Sequence, residues 1–474
     1  NKRHMGLVYH DDIFIDLSIG DILKGYVKKI RPGNKLDISI GQLGYRNIEP
    51  NSKRILEKLE DNNGFIPLTD KSSPESIKND LQMSKKDFKK AILKTHNKLK
   101  GTWGLVIFNL NEPNKIGDVS WFTPMKYTGI WWEMHLGKSS WDLASGKHGA
   151  TTENAKAFID FSAKNNIGAV LVEGWNTGWE HWIGFEDREG VFDFVTPYPD
   201  YDLKEVVRYG KEKGVEIIMH HETSAATQTY EKQQDTAYAL MQSLGIHAVK
   251  TGYVGKILPK GEYHHGQYMV NQYNNAVIKA AKYQVAINAH EPNKDTGLRR
   301  TYPNTISREG LRGQEFNAWA TDGGNPAEHL PIVAFTRMLA GPIDYTPGIF
   351  DIKFDKWKAE NQVNTTIAQQ LALYVVIYSP IQMAADLIEN YEGNPAFQFI
   401  KDVGVDWQQT KVLNGEVGDF VTIARKERTS EKWFVGGITD ENAREMSLDF
   451  SFLSPETAYE AIIYEDGIDA DWDK

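Results

Sequence analysis

The chain has 474 residues, 41% of them hydrophobic and 25% charged, a globular composition with room for two or three domains. It has no cysteine, which excludes disulfides, thiolate metal sites and a cysteine nucleophile and leaves the redox compartment open. The net charge of −10 hides a break: residues 1–100 hold 20 Lys+Arg against 13 Asp+Glu, the remainder 34 against 51, and none of the 13 Trp precedes Trp103.

Such a shift marks a domain boundary near residue 100. Ahead of it, residues 1–48 alternate apolar and polar in short runs, with Gly33-Asn34 as a turn between "ILKGYVKKI" and "KLDISI". They read as a partial OB-fold-like β module. Residues 49–100 change to helical period, with Ile55, Leu56 and Leu59 on one face of the first helix. Phe88, Ile92 and Leu93 oppose Lys85, Lys86, Lys89 and Lys90 on the last. Three short helices of this kind read as a winged helix whose basic last helix would meet nucleic acid. A solvated lysine face on an ordinary helix is the alternative.

Residues 101–126 read as a linker, 127–395 as a (β/α)8 TIM-type barrel, and 396–474 as a C-terminal β domain cut short. Five runs carry the barrel reading: "TGIWWEMH" (128–135), "IGAVLVEGW" (167–175), "VEIIMHHE" (215–222), "IHAVKTGY" (246–253) and "QVAINAHE" (284–291). They are almost continuously apolar, as strands buried on both faces are, and helical stretches separate them. The overall fold class is α/β. An open doubly wound sheet is the second choice, and no Gly-rich nucleotide loop follows any run to support it. Apolar runs such as "LALYVVIYSP" fall short of a membrane span. The chain begins at Asn1 rather than Met, so it reads as a piece of a longer chain.

In a barrel, the C-terminal strand ends face the mouth where substrates bind. Here they present Glu133, His135, Glu173, His220, Glu222, Lys250, His290 and Glu291, and the loop "TISREGLRGQEFNAW" adds Glu309 and Glu315. Carboxylates gathered at one mouth raise each other's pKa or share a cation. Paired carboxylates with abundant Trp and Tyr suit glycoside hydrolysis, which needs a protonated carboxylic acid and a carboxylate base or nucleophile. A hard cation such as Ca2+ would account for the remaining glutamates. Zinc fits less well, because no His-Glu-x-x-His spacing occurs.

Two resemblances sharpen these readings. Residues 5–100, through "GLVYHDDIF", "KGYVKKIRPGNKLDIS" and "NNGFIPLTDKSSPESI", resemble the C-terminal part of the virulence factor B-type RNA-binding proteins, which implies phosphate-led RNA contact through residues 1–100. Residues 111–395, through "VLVEGWNTGWE", "IIMHHETS", "AVKTGYVG", "NAHEP", "REGLRGQEFNAW" and "FTRMLAGPIDYTPGIF", resemble the catalytic barrel of glycoside hydrolase family 97. That resemblance implies a calcium-dependent, exo-acting α-glucosidase or α-galactosidase, periplasmic and acting on starch-derived oligosaccharides. The front module by itself would suggest the cytoplasm.

Carried over residue by residue, the second resemblance makes Glu315 the general acid and Glu222 and Glu291 the bases that activate water. It assigns calcium to Glu291, Glu309 and Glu315, and substrate contacts to Glu173, His220 and His290. Retaining members carry an aspartate nucleophile where this chain has Gly252, so inversion and α-glucosidase-like action are expected, with α-galactosidase the second choice. The family's barrel follows a β-sandwich that supplies a further calcium-binding glutamate. The basic module stands at that place here, so weaker calcium binding is expected. An RNA-binding protein acting through the front module and a non-catalytic sugar-binding barrel are the alternatives.

Overall fold

The computed structural model describes residues 26–31, 35–39, 112–467 and 470. The chain divides into two compact units, Asn1–Pro113 and Asn114–Lys474. In the first, β1 (Tyr26–Arg31) pairs antiparallel with β2 (Lys35–Ser39), the hairpin expected across Gly33-Asn34. The remainder of the OB-like module and all of the winged-helix reading lie outside the described residues.

The second unit is built around seven parallel strands in the order β8-β7-β6-β5-β4-β3-β9. These are β3 (Met125–Ile130), β4 (Ala169–Val172), β5 (Glu216–Glu222), β6 (Ala248–Gly252), β7 (Ala286–Ala289), β8 (Thr305–Arg308) and β9 (Ile381–Met383). The gap between β8 and β9 is bridged by residues 343–344. Ile343 pairs with Arg308 in parallel, its amide donates to the Tyr378 carbonyl at 2.9 Å, and the Asp344 amide donates to the Arg308 carbonyl at 3.1 Å. The sheet therefore closes almost completely, as a TIM-type barrel does. The first stave ends earlier than its sequence suggests. After Ile130 the chain turns through a single helical turn, Trp132–His135, because Trp131 and Trp132 stack on each other, 5.3 Å between centroids, across the barrel end.

Four helices cover the outside: α1 (Thr152–Lys164), α2 (Leu203–Lys213), α3 (Thr227–Leu244) and α4 (Gln267–Lys282). Thr151 and Asp202 cap the first two by accepting the amides of Asn154 and Glu205, each cap contributing about 1 kcal/mol. Gly214 and Gly245 end α2 and α3 in the left-handed conformation.

The strands sort their side chains by parity. Val170, Val172, Ile217, Met219, Val249 and Ile287 pack outward against Phe158, Val206, Tyr238 and Val277 of the helices. Leu171, Ile218, Ala248 and Ala286 fill the interior with Tyr127 and Met383. Truncating one of the larger of these to Ala would cost about 2–5 kcal/mol. Beyond the barrel, β10 (Trp407–Glu416), β11 (Phe420–Glu427) and β12 (Trp433–Thr439) form an antiparallel sheet. It packs through Val421, Ile423 and Ile438 on the apolar face of α5 (Ile367–Val376). No helix among the described residues is long and apolar enough to cross a membrane.

Candidate active site

The parity that fills the barrel interior also builds the site. On β5, Ile218 faces inward, so His220 and Glu222 follow it, while His221 turns out into a box of Phe194, Tyr230 and Tyr238. By the same count Ala169 and Leu171 lead to Glu173, Ala248 to Lys250 and Gly252, and Ala286 to Asn288 and His290. Glu291 is out of phase. Its backbone φ of 43° is a left-handed conformation that a glutamate rarely adopts, and it interrupts the alternation at this point.

Two clusters result. In the first, Glu173 accepts a 2.6 Å hydrogen bond from Trp141 Nε1 and lies 3.1 Å from His220 Nε2. Around it Trp141 and Trp179 stack, their planes 13° apart, and Trp179 stacks on His220. Burial pushes the Glu173 carboxyl up to about 8 against the opposing pull of Lys250 and Trp141. Burial, then Lys250, holds His220 well below its ordinary range, so its imidazole is neutral with Nδ1 buried and free of any hydrogen bond.

In the second cluster, a nitrogen of His290 and one oxygen each from Glu309 and Glu315 lie within 4.8 Å of one another. Glu315 is brought there by a short 3-10 turn, Gln314–Ala318, and also approaches His135 Nε2 at 3.6 Å. Burial keeps His135 neutral, its pKa lowered to about 3. Burial, then repulsion from Glu315 and Glu291, raises Glu309 well above the carboxylate range. Burial raises Glu315 too, with His290 and Lys250 pulling the other way.

Between the clusters sits a carboxylate pair. Burial and then Glu291 raise Glu222; burial also raises Glu291, whose Oε2 accepts the Tyr253 amide at 2.7 Å. The Glu222 carboxylate is fixed by the amides of Ser224 and Val254 and lies directly over Gly252. Facing this array is Lys250, 2% exposed, its Nζ without a hydrogen-bond partner and 5.0 Å from the centre of the Trp131 ring.

Of the residues singled out in sequence, all but Glu133 are thus gathered at one barrel end. For the cation, the three groups brought together are His290, Glu309 and Glu315, whereas the Glu291 carboxylate turns to the Tyr253 amide. Glu133 goes elsewhere: it is bound by Ser139 and Asn154 at the base of α1. One member escaped the sequence reading. Asp344, 2% exposed, accepts from Asn288 Nδ2 at 2.7 Å, His290 Nε2 at 2.6 Å and the Tyr127 hydroxyl at 3.1 Å. Its motif, "GPIDYTPG", is too short and proline-bounded to show strand parity.

Comparison with known proteins places this array. The Glycoside hydrolase 97 profile matches residues 131–311, which hold β4 to β8 and most of the acidic site. Its companion, Glycosyl-hydrolase 97 C-terminal, oligomerisation, matches 406–474. The body of this chain belongs to glycoside hydrolase family 97. A separate profile, the CvfB-like winged helix domain, matches residues 53–94.

Among solved structures, a family 97 enzyme from Pseudoalteromonas sp. strain K8, a variant in complex with panose, is 53% identical with a TM-score of 0.73. The match covers 77% of this chain and 57% of that one. The same enzyme in complex with acarbose aligns with a TM-score of 0.70, 53% identity, and coverage of 74% and 55%. A retaining alpha-galactosidase of Bacteroides thetaiotaomicron is 28% identical over 414 residues, 83% of this chain and 58% of the relative. A probable retaining alpha-galactosidase of Streptomyces bingchenggensis is 25% identical over 69% of this chain and 46% of the relative. The chain therefore spans about half the length of the relatives it matches.

Proposed function

We propose that the barrel hydrolyses terminal α-glycosidic bonds of glucosyl oligosaccharides with inversion of configuration. The observation that carries this reading is the end of β6: Gly252 has no side chain, and the Glu222 carboxylate occupies the space one would need. Position 252 thus offers no carboxylate nucleophile, which favours Glu222 and Glu291 sharing the task of taking a proton from water. Two like charges in one buried site hold a proton between them more readily than either would separately.

Glu315 is the general acid. Burial raises its carboxyl, which favours the protonated form that can deliver a proton to the leaving oxygen. Glu173 and His220 are placed to bind sugar hydroxyls, and the Trp141–Trp179 wall to pack on a pyranose face. The bound ligands of the 53%-identical enzyme, panose and acarbose, support a glucosyl preference. The galactosidase relatives are more distant, and their names specify retention, which the glycine at position 252 argues against.

His290, Glu309 and Glu315 fit a cation: they are close, largely carboxylate, and their mutual repulsion is relieved by positive charge. Calcium bound there would offset the charge of the gathered carboxylates and could orient sugar hydroxyls through its oxygen-ligand preference. The deciding assay is hydrolysis of 4-nitrophenyl α-glucoside and α-galactoside with and without chelator, with the first product anomer followed by NMR. β-Glucose formed first, and lost on chelation, is expected. Initial α-anomer would overturn the inverting mechanism.

A separate reading attaches to residues 53–94, where the winged-helix profile and the lysine-rich run at 85–90 favour nucleic-acid contact. Its test is binding of single-stranded RNA by the full chain. Affinity should fall steeply with salt if phosphates carry it.

A further inference from the structure

Asp344 belongs to neither acidic cluster, yet its buried carboxylate accepts three side-chain hydrogen bonds at the barrel end. A carboxylate can only accept hydrogen bonds, so each of its partners must be the donor. Oδ2 takes the proton of His290 Nε2 at 2.6 Å and one from Asn288 at 2.7 Å; Oδ1 takes the Tyr127 hydroxyl at 3.1 Å. Lys250 Nζ stands 3.9 Å away. The backbone cannot shift easily, because Ile343 and Asp344 are stitched to Tyr378 and Arg308 on either side. The opposite ring nitrogen, His290 Nδ1, points to Glu309 at 3.7 Å, with no hydrogen bond between them.

We infer that Asp344 is a positioning residue that fixes the His290 proton on Nε2 and so presents a bare Nδ1 lone pair to the space bounded by Glu309 and Glu315. An imidazole has one lone pair when neutral, and the partner of the other nitrogen decides where it lies. Without an acceptor at position 344, the ring could rotate or move its proton to Nδ1, where Glu309 would bind it. The lone pair would then face away from the site. What Nδ1 receives is an electron-poor group, either a cation held with Glu309 and Glu315 or the hydroxyl proton of a sugar. This inference deepens the glycosidase reading, but neither of its readouts uses hydrolysis, so the two can fail separately.

The experiment is nitrogen-15 NMR of histidine-labelled full-length protein. His290, assigned through a His290→Gln variant, is followed in the metal-free state and during titration with Ca2+ or with acarbose. Wild type should show a proton on Nε2 and none on Nδ1. Ca2+ moving the Nδ1 resonance identifies the cation as its partner, and acarbose moving it alone identifies a hydroxyl. Asp344→Ala should scramble the tautomer and weaken the ligand that moved Nδ1 by about 10–100-fold. Asp344→Asn, which still places an oxygen opposite Nε2, should restore the wild-type pattern. Tyr127→Phe removes another bond to Asp344 and should leave His290 unchanged, which separates positioning from general support of the fold. A proton on Nδ1 in wild type, no Nδ1 response to either titrant, or an Asp344→Ala protein with the wild-type tautomer and affinity would each overturn the inference.

Discussion

The carboxylate of Glu222 rests on the Cα of Gly252, so that a methyl group added at position 252 would overlap Glu222 Oε2. The two residues come from adjacent parallel strands and are paired in register, so neither can withdraw without breaking the ladder. Gly252→Ala should therefore cost about 1–3 kcal/mol as an overpacking change and lower kcat at least tenfold by displacing Glu222. In a Glu222→Ala background the same substitution should cost almost nothing. A thermal-denaturation double-mutant cycle reads the coupling, expected at about 0.5–3 kcal/mol for contacting residues. Strict additivity would show that the overlap is not felt.

Most of the barrel site could be read before the fold was seen, because period-two alternation carries the inward face past the last apolar residue of each strand. His220, Glu222, Lys250 and His290 follow from that count. Glu291 reaches the site through a positive φ, which no alternation predicts. Asp344 was illegible for another reason: residues 343–344 fill their place in the barrel through single bridges rather than a strand of any length. Glu133 read as a mouth residue because "TGIWWEMH" looks like one strand. The Trp131–Trp132 stack and the helical turn after Ile130 redirect it to Ser139 and Asn154.

Glu173 gives a pH signature with a definite sign. Its folded pKa of about 8 lies above the ordinary 4.5, so the buried charge costs stability above pH 8. As pH falls through 8, the folded protein takes up a proton that the unfolded chain does not, and stability rises. Below pH 6.5 the buried neutral His135 and His220 oppose this, since the unfolded chain protonates its histidines there. The melting temperature of metal-free protein should thus rise by about 2 °C between pH 8.5 and 6.5 relative to Glu173→Gln. Lys126, lowered to about 8 by burial, affects both proteins alike and cancels in the comparison. Parallel pH profiles for the two would refute the buried, proton-binding Glu173.

Calcium should stabilise the barrel by filling the gap among His290, Glu309 and Glu315. At a concentration 100 times the dissociation constant the gain is about 2.7 kcal/mol, visible as a rise in melting temperature that chelator reverses. Glu309→Gln removes one ligand and one buried negative charge together. The metal-free variant should therefore melt at or above the wild type, while its response to calcium falls. Calcium stabilising both proteins equally would place the cation elsewhere.

Glu315 is the group whose loss should separate chemistry from fold. It is followed by Asn317, whose amide oxygen accepts the Asn325 amide, and by Ala318 and Ala320, whose carbonyls are held by Lys358 and Asn361. The turn that carries the acid is pinned independently of the acid itself. Glu315→Gln should then retain the native melting temperature within about 2 °C and lose about 10²–10⁴-fold in kcat on oligosaccharides, the usual contribution of a positioned acid. Fluoride needs little help from a proton as it leaves, so α-glucosyl fluoride should be hydrolysed with a much smaller loss. An equal loss on both substrates would assign Glu315 to cation binding rather than to proton delivery, and unchanged turnover on oligosaccharides would remove it from the mechanism.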